Sequence, residues 1–261
     1  MLNEKYDNLV SYLKNLGSVA VAFSGGVDST LLLKVCSDVL KEDVLAIMVI
    51  APYTPKWEVE EAKVLLKEFG VRYKFLEVEM IEEIRFSPRE RCYICKNAIF
   101  TKIKEEAKAH GISNVLDGTN FDDTKDYRPG LKALKELNII SPLLANDITK
   151  AEIRSLSKEL KLQTWDKPAY ACLLSRIPYG QEVIEIELER IEAAEVYLMG
   201  LGFSGVRVRS HEDLARIELP KKYFSEILNE EVLEGISMKL KEFGFKYVTL
   251  DLEGYKMGSL N

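Results

Sequence analysis

The chain has 261 residues, 47% of them hydrophobic, enough to bury one large core or two small ones. Its 42 acidic and 36 basic residues give a net charge of −6, which argues against broad nucleic-acid binding because that needs a basic footprint. Four cysteines exclude a disulfide scaffold and make the cytoplasm the default compartment, and no apolar run reaches the length of a membrane span. The opening stretch MLNEKYDNLVSYLKNLG reads as a charged amphipathic helix without the apolar region of a signal peptide. Strand-like runs then fall at Val19–Phe23, Val44–Ile50, Tyr73–Glu79, Asn114–Asp117 and, briefly, Ile139–Ile140. Helix-like runs lie between them at Ser29–Leu40, Pro55–Phe69 and Arg91–His110, with one more at Ala151–Leu160. Thr149 and Glu152 have capping-box spacing, and Gly70 and Gly111 are stop signals. Strands separated by helices imply an α/β fold with a doubly wound parallel sheet.

After Leu160 the pattern changes. KLQTWDKPAYACLLSRIPYGQ has no clear period and reads as a functional loop. A long helix, Val183–Met199, follows. Two strands, Val206–Arg209 and Ala215–Leu219, precede helical segments over Lys221–Phe243 and a last strand at Tyr247–Leu252. The expected organisation is an α/β domain over 1–165, a loop over 166–181 and a smaller α+β domain over 182–261.

The chemistry concentrates in a few stretches. Ser24-Gly25-Gly26-Val27-Asp28-Ser29-Thr30 ends a strand and opens a helix. Glycines let backbone N–H groups approach phosphate oxygens, and the helix N-terminus adds its dipole and unsatisfied donors. Hydroxyls of Ser24, Ser29 and Thr30 add donors. Asp28 repels phosphate and makes sense as a ligand of Mg²⁺. The turn holds no lysine and is neither a Walker A loop nor GxGxxG. A second loop, LDGTNFDDTKDYRPG, leaves the fourth strand. Gly118 there allows close approach, Asn120 is a further ligand candidate, and Asp122 and Asp123 could bind metal or steer a substrate. A polar surface loop is the alternative.

Cys92 and Cys95 form RCYICK, with both thiols on one side of a helical turn. Such a pair is half a zinc site, a redox pair or a cluster ligand pair. His110 lies about 22 Å along the same helix and cannot share a metal with them, whereas His211 is not excluded. Cys172 lies in the aperiodic loop, and Cys36 sits among apolar residues as a buried thiol. Three thiolates suit a 4Fe-4S cluster with one exchangeable iron better than a closed zinc site. VRVRS alternates, so Arg207 and Arg209 share a strand face about 6.6 Å apart and could grip a phosphate. Arg216 and Glu218 share a face of the next strand if Ala215, Ile217 and Leu219 point inward, and a solvated charged face with a cross-strand ion pair is the plainer reading.

The SGGVDST loop resembles that of the PP-loop ATP pyrophosphatases, which implies an adenine nucleotide alpha hydrolase-like fold and cleavage of ATP between its α and β phosphates. Together with DGTNFDD, DYRPG, ACLLSRIPYG, VRVRSH and ARIELP, the chain resembles the LarE family of ATP-dependent sulfur transferases over nearly its whole length. The resemblance implies adenylation of a carboxylate of a pyridinium dicarboxylic acid mononucleotide and its conversion to a thiocarboxylate, a step in making a nickel-pincer nucleotide cofactor. It implies that Ser24–Thr30 hold ATP and that Arg207 and Arg209 hold the substrate phosphate. Cys172 would handle sulfur, and Ser175, Arg176 and Glu195 fall in active-site segments. Cys92 and Cys95 add to Cys172 to resemble the branch carrying a 4Fe-4S cluster; another branch sacrifices its cysteine sulfur and leaves dehydroalanine. Family members assemble as homo-oligomers, and the sulfur donor is not legible in the residues. A cluster-dependent tRNA thiolase pairs a similar loop with three cysteines, but the acidic charge opposes it. A scaffold that binds ATP without turnover and an amidotransferase-type synthetase are the remaining alternatives; no glutaminase segment is visible for the latter.

Overall fold

The structure is a computed structural model and describes residues 2–125 and 129–256. Asp126, Tyr127 and Arg128 of the DYRPG stretch lie outside the described residues. In chain order the first elements are α1 (Leu2–Leu16), β1 (Val19–Ala22), α2 (Val27–Leu40), β2 (Val44–Ile50), α3 (Lys56–Phe69) and β3 (Arg72–Glu77). Then come α4 (Arg91–Ala109), β4 (Asn114–Leu116), α5 (Pro129–Glu136), α6 (Pro142–Ala145) and α7 (Lys150–Glu159). The remainder holds α8 (Glu185–Gly200), β5 (Arg207–His211), β6 (Leu214–Glu218), α9 (Phe224–Ile227), α10 (Glu230–Glu242) and β7 (Tyr247–Leu250). No described helix is long and apolar enough to cross a membrane.

The chain forms two compact units. The first comprises Met1–Ala51, Lys56–Ile81 and Glu90–Lys167. Its four strands are all parallel, in the order β3-β2-β1-β4. Alternation splits the strand residues between two cores. Val19, Val21, Val44, Ala46 and Met48 pack with Leu9 of α1, Leu31 of α2, Leu66 of α3 and Ile153 of α7. Ala20, Leu45, Ile47 and Val115 pack with Phe100 and Ile103 of α4 and Leu134 of α5. Both faces are covered over β1 and β2, which is why these two strands read as unbroken apolar runs, whereas the edge strand β3 is mostly polar and exposed. The α/β, doubly wound expectation holds. The brief fifth run does not form a strand: it contributes a single parallel bridge, Ile140 with Leu116. Asn138, at φ +53°, turns the chain just before it, and Pro142 starts α6 just after, which leaves no length for a ladder. The capping box is present, with Thr149 accepting from the Glu152 amide and Glu152 accepting from the Thr149 amide.

The sheet order places β2 on one side of β1 and β4 on the other. The loops leaving the carboxyl ends of β1 and β4 thus flank the point where strand order reverses, the usual ligand crevice of an open parallel sheet.

The second unit comprises Pro168–Asn261 with two short stretches, Pro52–Pro55 and Glu82–Arg89. Its sheet runs β5-β6-β7, antiparallel and then parallel. Long-range backbone bonds tie in the short stretches. Leu173 donates to the Tyr53 carbonyl at 3.0 Å, Gly180 to Ser87 at 3.1 Å and Val183 to Arg85 at 2.7 Å. The helical run after Lys221 is interrupted: α9 is one turn, and Asn229 caps a separate α10 by accepting from the Glu231 and Val232 amides.

Candidate active site

In the first unit, the turn after β1 is held by its own hydroxyls. Ser24 Oγ and Ser29 Oγ are 3.0 Å apart, Ser29 Oγ donates to the Gly26 carbonyl at 3.2 Å, and the Gly26 amide donates to Ser24 Oγ. Gly25 has φ +69°, and a Cβ there would also press on Ala62 Cβ at 3.3 Å. Gly26 occupies the N-cap position of α2 and brings no side-chain acceptor, so the first-turn donors at Val27, Asp28 and Ser29 face the crevice end of the helix without a cap. Thr30 is fully buried in the next position.

The β4 loop is packed directly against this turn. A Cβ on Gly118 would lie 3.0 Å from the Ser29 amide nitrogen and 3.2 Å from Asp28 Cβ. Asn120, almost fully buried, donates from Nδ2 to Asp28 Oδ1 at 3.3 Å. Its own Oδ1 accepts from the Asp122 amide, and its amide donates to Asp123, so the loop is an interlocked turn. Asp122 also accepts from Lys125 and from the Lys150 amide, and these bonds hold its carboxyl below the usual carboxylate range. Gly118, Asn120 and Asp28 thus come together with the glycine turn.

Two lysines that the sequence pattern did not single out complete this cluster. Lys150 Nζ contacts Asp28 Oδ2 at 2.5 Å. Lys167 Nζ donates to the Gly25 carbonyl at 3.1 Å and to Glu61 at 2.7 Å. The signal that could have found them is the turn itself: it carries an acid and no base, so compensating cations had to come from elsewhere in the chain.

All four cysteines are thiols rather than disulfide halves. Cys36 is buried in α2, and burial pushes its thiol up. Cys92 is exposed and Cys95 half-buried on the first turn of α4. Cys172 is exposed at the head of a short 3₁₀ turn, Leu173–Arg176, in the second unit. Among the described residues, no group of three or more His, Cys, Asp or Glu side chains is gathered in a metal-binding arrangement.

In the second unit, Cys172, Ser175, Arg176, Glu195 and Arg209 belong to one hydrogen-bond network, with Arg207 beside it. Arg176 is 1% exposed and forms a two-pronged bond with Glu195, at 2.8 and 2.7 Å. Its third nitrogen donates to the carbonyls of Ala171 and Cys172 and to Ser175 Oγ. Glu195 Oε1 also accepts from the Val208 amide at 2.9 Å, which joins α8 to β5. Arg209 donates to the Ser175 carbonyl and to buried Glu218, itself also paired with Arg216. The arginine face of β5 is therefore not solvated, contrary to the plainer reading of VRVRS; the cross-strand ion pair that reading expects is present, but it is buried.

Arg207 is 2% exposed. It donates to the carbonyls of Val206 and Ala169 and lies over the rings of Tyr170 and Tyr255 at 4.9 and 5.2 Å. None of these partners carries a full negative charge. Burial, and then the neighbouring Arg176, hold its guanidinium below the ordinary arginine value. A desolvated cation bonded to carbonyls and aromatic faces is a strong attractor for an anion.

Comparison with known proteins identifies the family. The NAD synthase family model matches residues 1–113. An uncharacterized protein of Synechocystis sp. is 41% identical over 263 residues, covering 100% of this chain and 98% of the relative. The pyridinium-3,5-bisthiocarboxylic acid mononucleotide synthase of Lactiplantibacillus plantarum is 38% identical over 263 residues, covering 100% of this chain and 95% of that enzyme. An uncharacterized protein of Methanocaldococcus jannaschii is 35% identical over 250 residues, with 96% and 95% covered. With near-complete coverage of both chains at that identity, this chain belongs to the family of pyridinium-3,5-bisthiocarboxylic acid mononucleotide synthase, the LarE family.

Proposed function

We propose that the protein is an ATP-dependent sulfur transferase that adenylates a carboxylate of a pyridinium dicarboxylic acid mononucleotide and converts it to a thiocarboxylate, in the making of a nickel-pincer nucleotide cofactor. The full-length likeness to the Lactiplantibacillus synthase is the observation that carries this reading. The glycine turn packed on Gly118 supplies the matching chemistry.

The first unit does the activation. Amides at the start of α2 and the hydroxyls of Ser24, Ser29 and Thr30 hold phosphate oxygens. Asp28 fits a magnesium site, because it is a part-exposed carboxylate beside the turn and Mg²⁺ takes one or two carboxylates plus phosphate oxygens. When bound, the ion neutralises charge on the phosphates. Lys150 leaves Asp28 for a phosphate oxygen. A carboxylate oxygen of the substrate attacks the α phosphorus, the bond to the β-phosphate oxygen breaks, and pyrophosphate departs. Sulfide then adds to the acyl carbon, and AMP leaves with the original oxygen.

The second unit recognises the mononucleotide and presents sulfur. Arg207 and Arg209 hold the substrate phosphate, and Cys172 handles the sulfur within the 166–181 loop. The Cys172 loop is fixed by Arg176, which donates to its backbone carbonyls and is itself held by Glu195. The thiols of Cys92, Cys95 and Cys172 fit a 4Fe-4S cluster in kind: two stand one helical turn apart on α4, and each of the three reaches the surface at least in part. These residues would hold the cluster, which when bound supplies a labile sulfide. The domains run 1–165 for ATP pyrophosphatase chemistry and 182–261 for substrate binding and self-association, in a cytoplasmic homo-oligomer.

The test is pyrophosphate release in the presence and absence of the pyridinium dicarboxylic acid mononucleotide. Release should require the carboxylate and be stoichiometric with AMP. Equal release without it, or none with it, sinks the proposal. Gly118→Ala should lower the release rate by roughly ten- to a hundredfold, because displacing the turn by a fraction of an ångström spoils alignment at the α phosphorus. Steady-state rates against the unaltered enzyme check this.

A further inference from the structure

The glycine turn binds a highly charged nucleotide yet contains no base and one acid. Two ammonium groups from distant parts of the chain compensate, and they differ in kind. Lys150 is matched to the carboxylate of Asp28. Lys167 instead rests on a neutral acceptor, the Gly25 carbonyl at the apex of the turn, with Glu61 as its counter-ion.

Lys167 is held in place from several sides. Arg154 donates to the carbonyls of Trp165 and Lys167 at 2.7 and 2.8 Å and so anchors its main chain to α7. Lys158 lies over the Trp165 ring at 4.8 Å. The Lys167 side chain crosses the face of Trp57, with Nζ 5.4 Å from the ring centre, and is only 13% exposed. Its counter-ion is weak: the Glu61 side chain is 54% exposed, where solvent screens an ion pair. A neutral carbonyl is likewise a poorer partner for an ammonium than a phosphate oxygen. A positioned cation with inferior partners, one hydrogen bond from the apex of the loop, is set to exchange them for a polyphosphate.

We infer that Lys167 is a further catalytic cation of the phosphate loop, which leaves the Gly25 carbonyl and Glu61 to bind the β and γ phosphates of ATP and then the departing pyrophosphate. This deepens the reading above and rests on it. As the α-phosphorus to β-oxygen bond breaks, the electron pair goes to pyrophosphate, whose added charge meets the Lys167 ammonium. No proton need transfer, and AMP remains on the substrate carboxylate.

The test compares binding of inorganic pyrophosphate and of AMP to the full chain carrying Lys167→Met or Lys167→Arg, by calorimetry with magnesium present. Lys167→Met should weaken pyrophosphate binding roughly ten- to a hundredfold, the worth of a charge-assisted bond, while AMP affinity and melting temperature stay within about twofold and a few degrees. Lys167→Arg should restore most of the pyrophosphate affinity. Unchanged pyrophosphate affinity in Lys167→Met overturns the inference and leaves the ATP-using reading intact. An equal loss of AMP binding assigns Lys167 a structural role and also overturns it. If the unaltered chain binds neither ligand, the ATP-using reading falls, and this inference with it.

Discussion

Cys172→Ala should abolish thiocarboxylate formation, by on the order of a thousandfold or more, while carboxylate-dependent pyrophosphate release stays within about twofold. The reason is a division of labour along the chain. The contacts that shape the Cys172 turn run through its carbonyl oxygen, which accepts from the Ser175 amide, Ser175 Oγ and Arg176. Replacing the thiol by hydrogen removes the sulfur and keeps the carbonyl bonds of the turn. The groups assigned to ATP, Ser24 to Thr30 with Gly118 and Asn120, belong to a different unit. Single-turnover assays that follow pyrophosphate and thiocarboxylate separately measure both halves. A parallel loss of adenylation would make Cys172 a structural residue. The same protein purified without oxygen should contain about four irons and four labile sulfides per chain. Cys92→Ser should remove them and stop sulfur transfer. Should Cys92→Ser keep full sulfur transfer while the unaltered chain loses the elements of H₂S from Cys172, the thiol itself is the donor and the cluster has no part.

The sequence legibility of this site follows from how local each feature is. The glycine turn, the capping box at Thr149 and the alternating cores are set by neighbours within a few residues, so spacing alone reveals them. Gly118 is legible as a glycine, but that its hydrogen faces the Ser29 amide is decided by the β3-β2-β1-β4 order, which no local pattern specifies. Lys150 and Lys167 each bond to groups more than a hundred residues earlier, and Lys is common enough in this chain to hide them. Arginine alternation on β5 suggested a wet face because alternation is normally a sign of one; burial there depends on α8 presenting Glu195 and on β6 presenting Glu218. The short segments around Tyr53 and Ser87 join the second unit through long-range bonds, among them backbone bonds and an Arg85–Glu182 ion pair, and Ser87 does so fully buried at φ +46°, a conformation its side chain gives no hint of.

Glu195→Ala should be the most destabilising single change in the second unit. Glu195 is 2% exposed and answers three donors: two nitrogens of Arg176 and the Val208 amide. Its removal leaves a guanidinium without its carboxylate in a place water does not reach. Breaking a buried pair in this way costs about 3–5 kcal/mol, and the orphaned amide adds to it. At this chain length that lowers the melting temperature by roughly 10 °C, readable by calorimetry. The pair as a whole need not be stabilising, since two buried charges surrender much of their hydration for one bond. Arg176→Met with Glu195→Leu should therefore recover most of the lost stability. It should not recover sulfur transfer, because methionine cannot donate to the carbonyls of Ala171 and Cys172, and the loop that presents the thiol is then unanchored. Recovery of melting temperature without recovery of thiocarboxylate formation would separate positioning from stability at this pair. Recovery of both would mean that the loop is shaped by Ser175 and Arg209 alone.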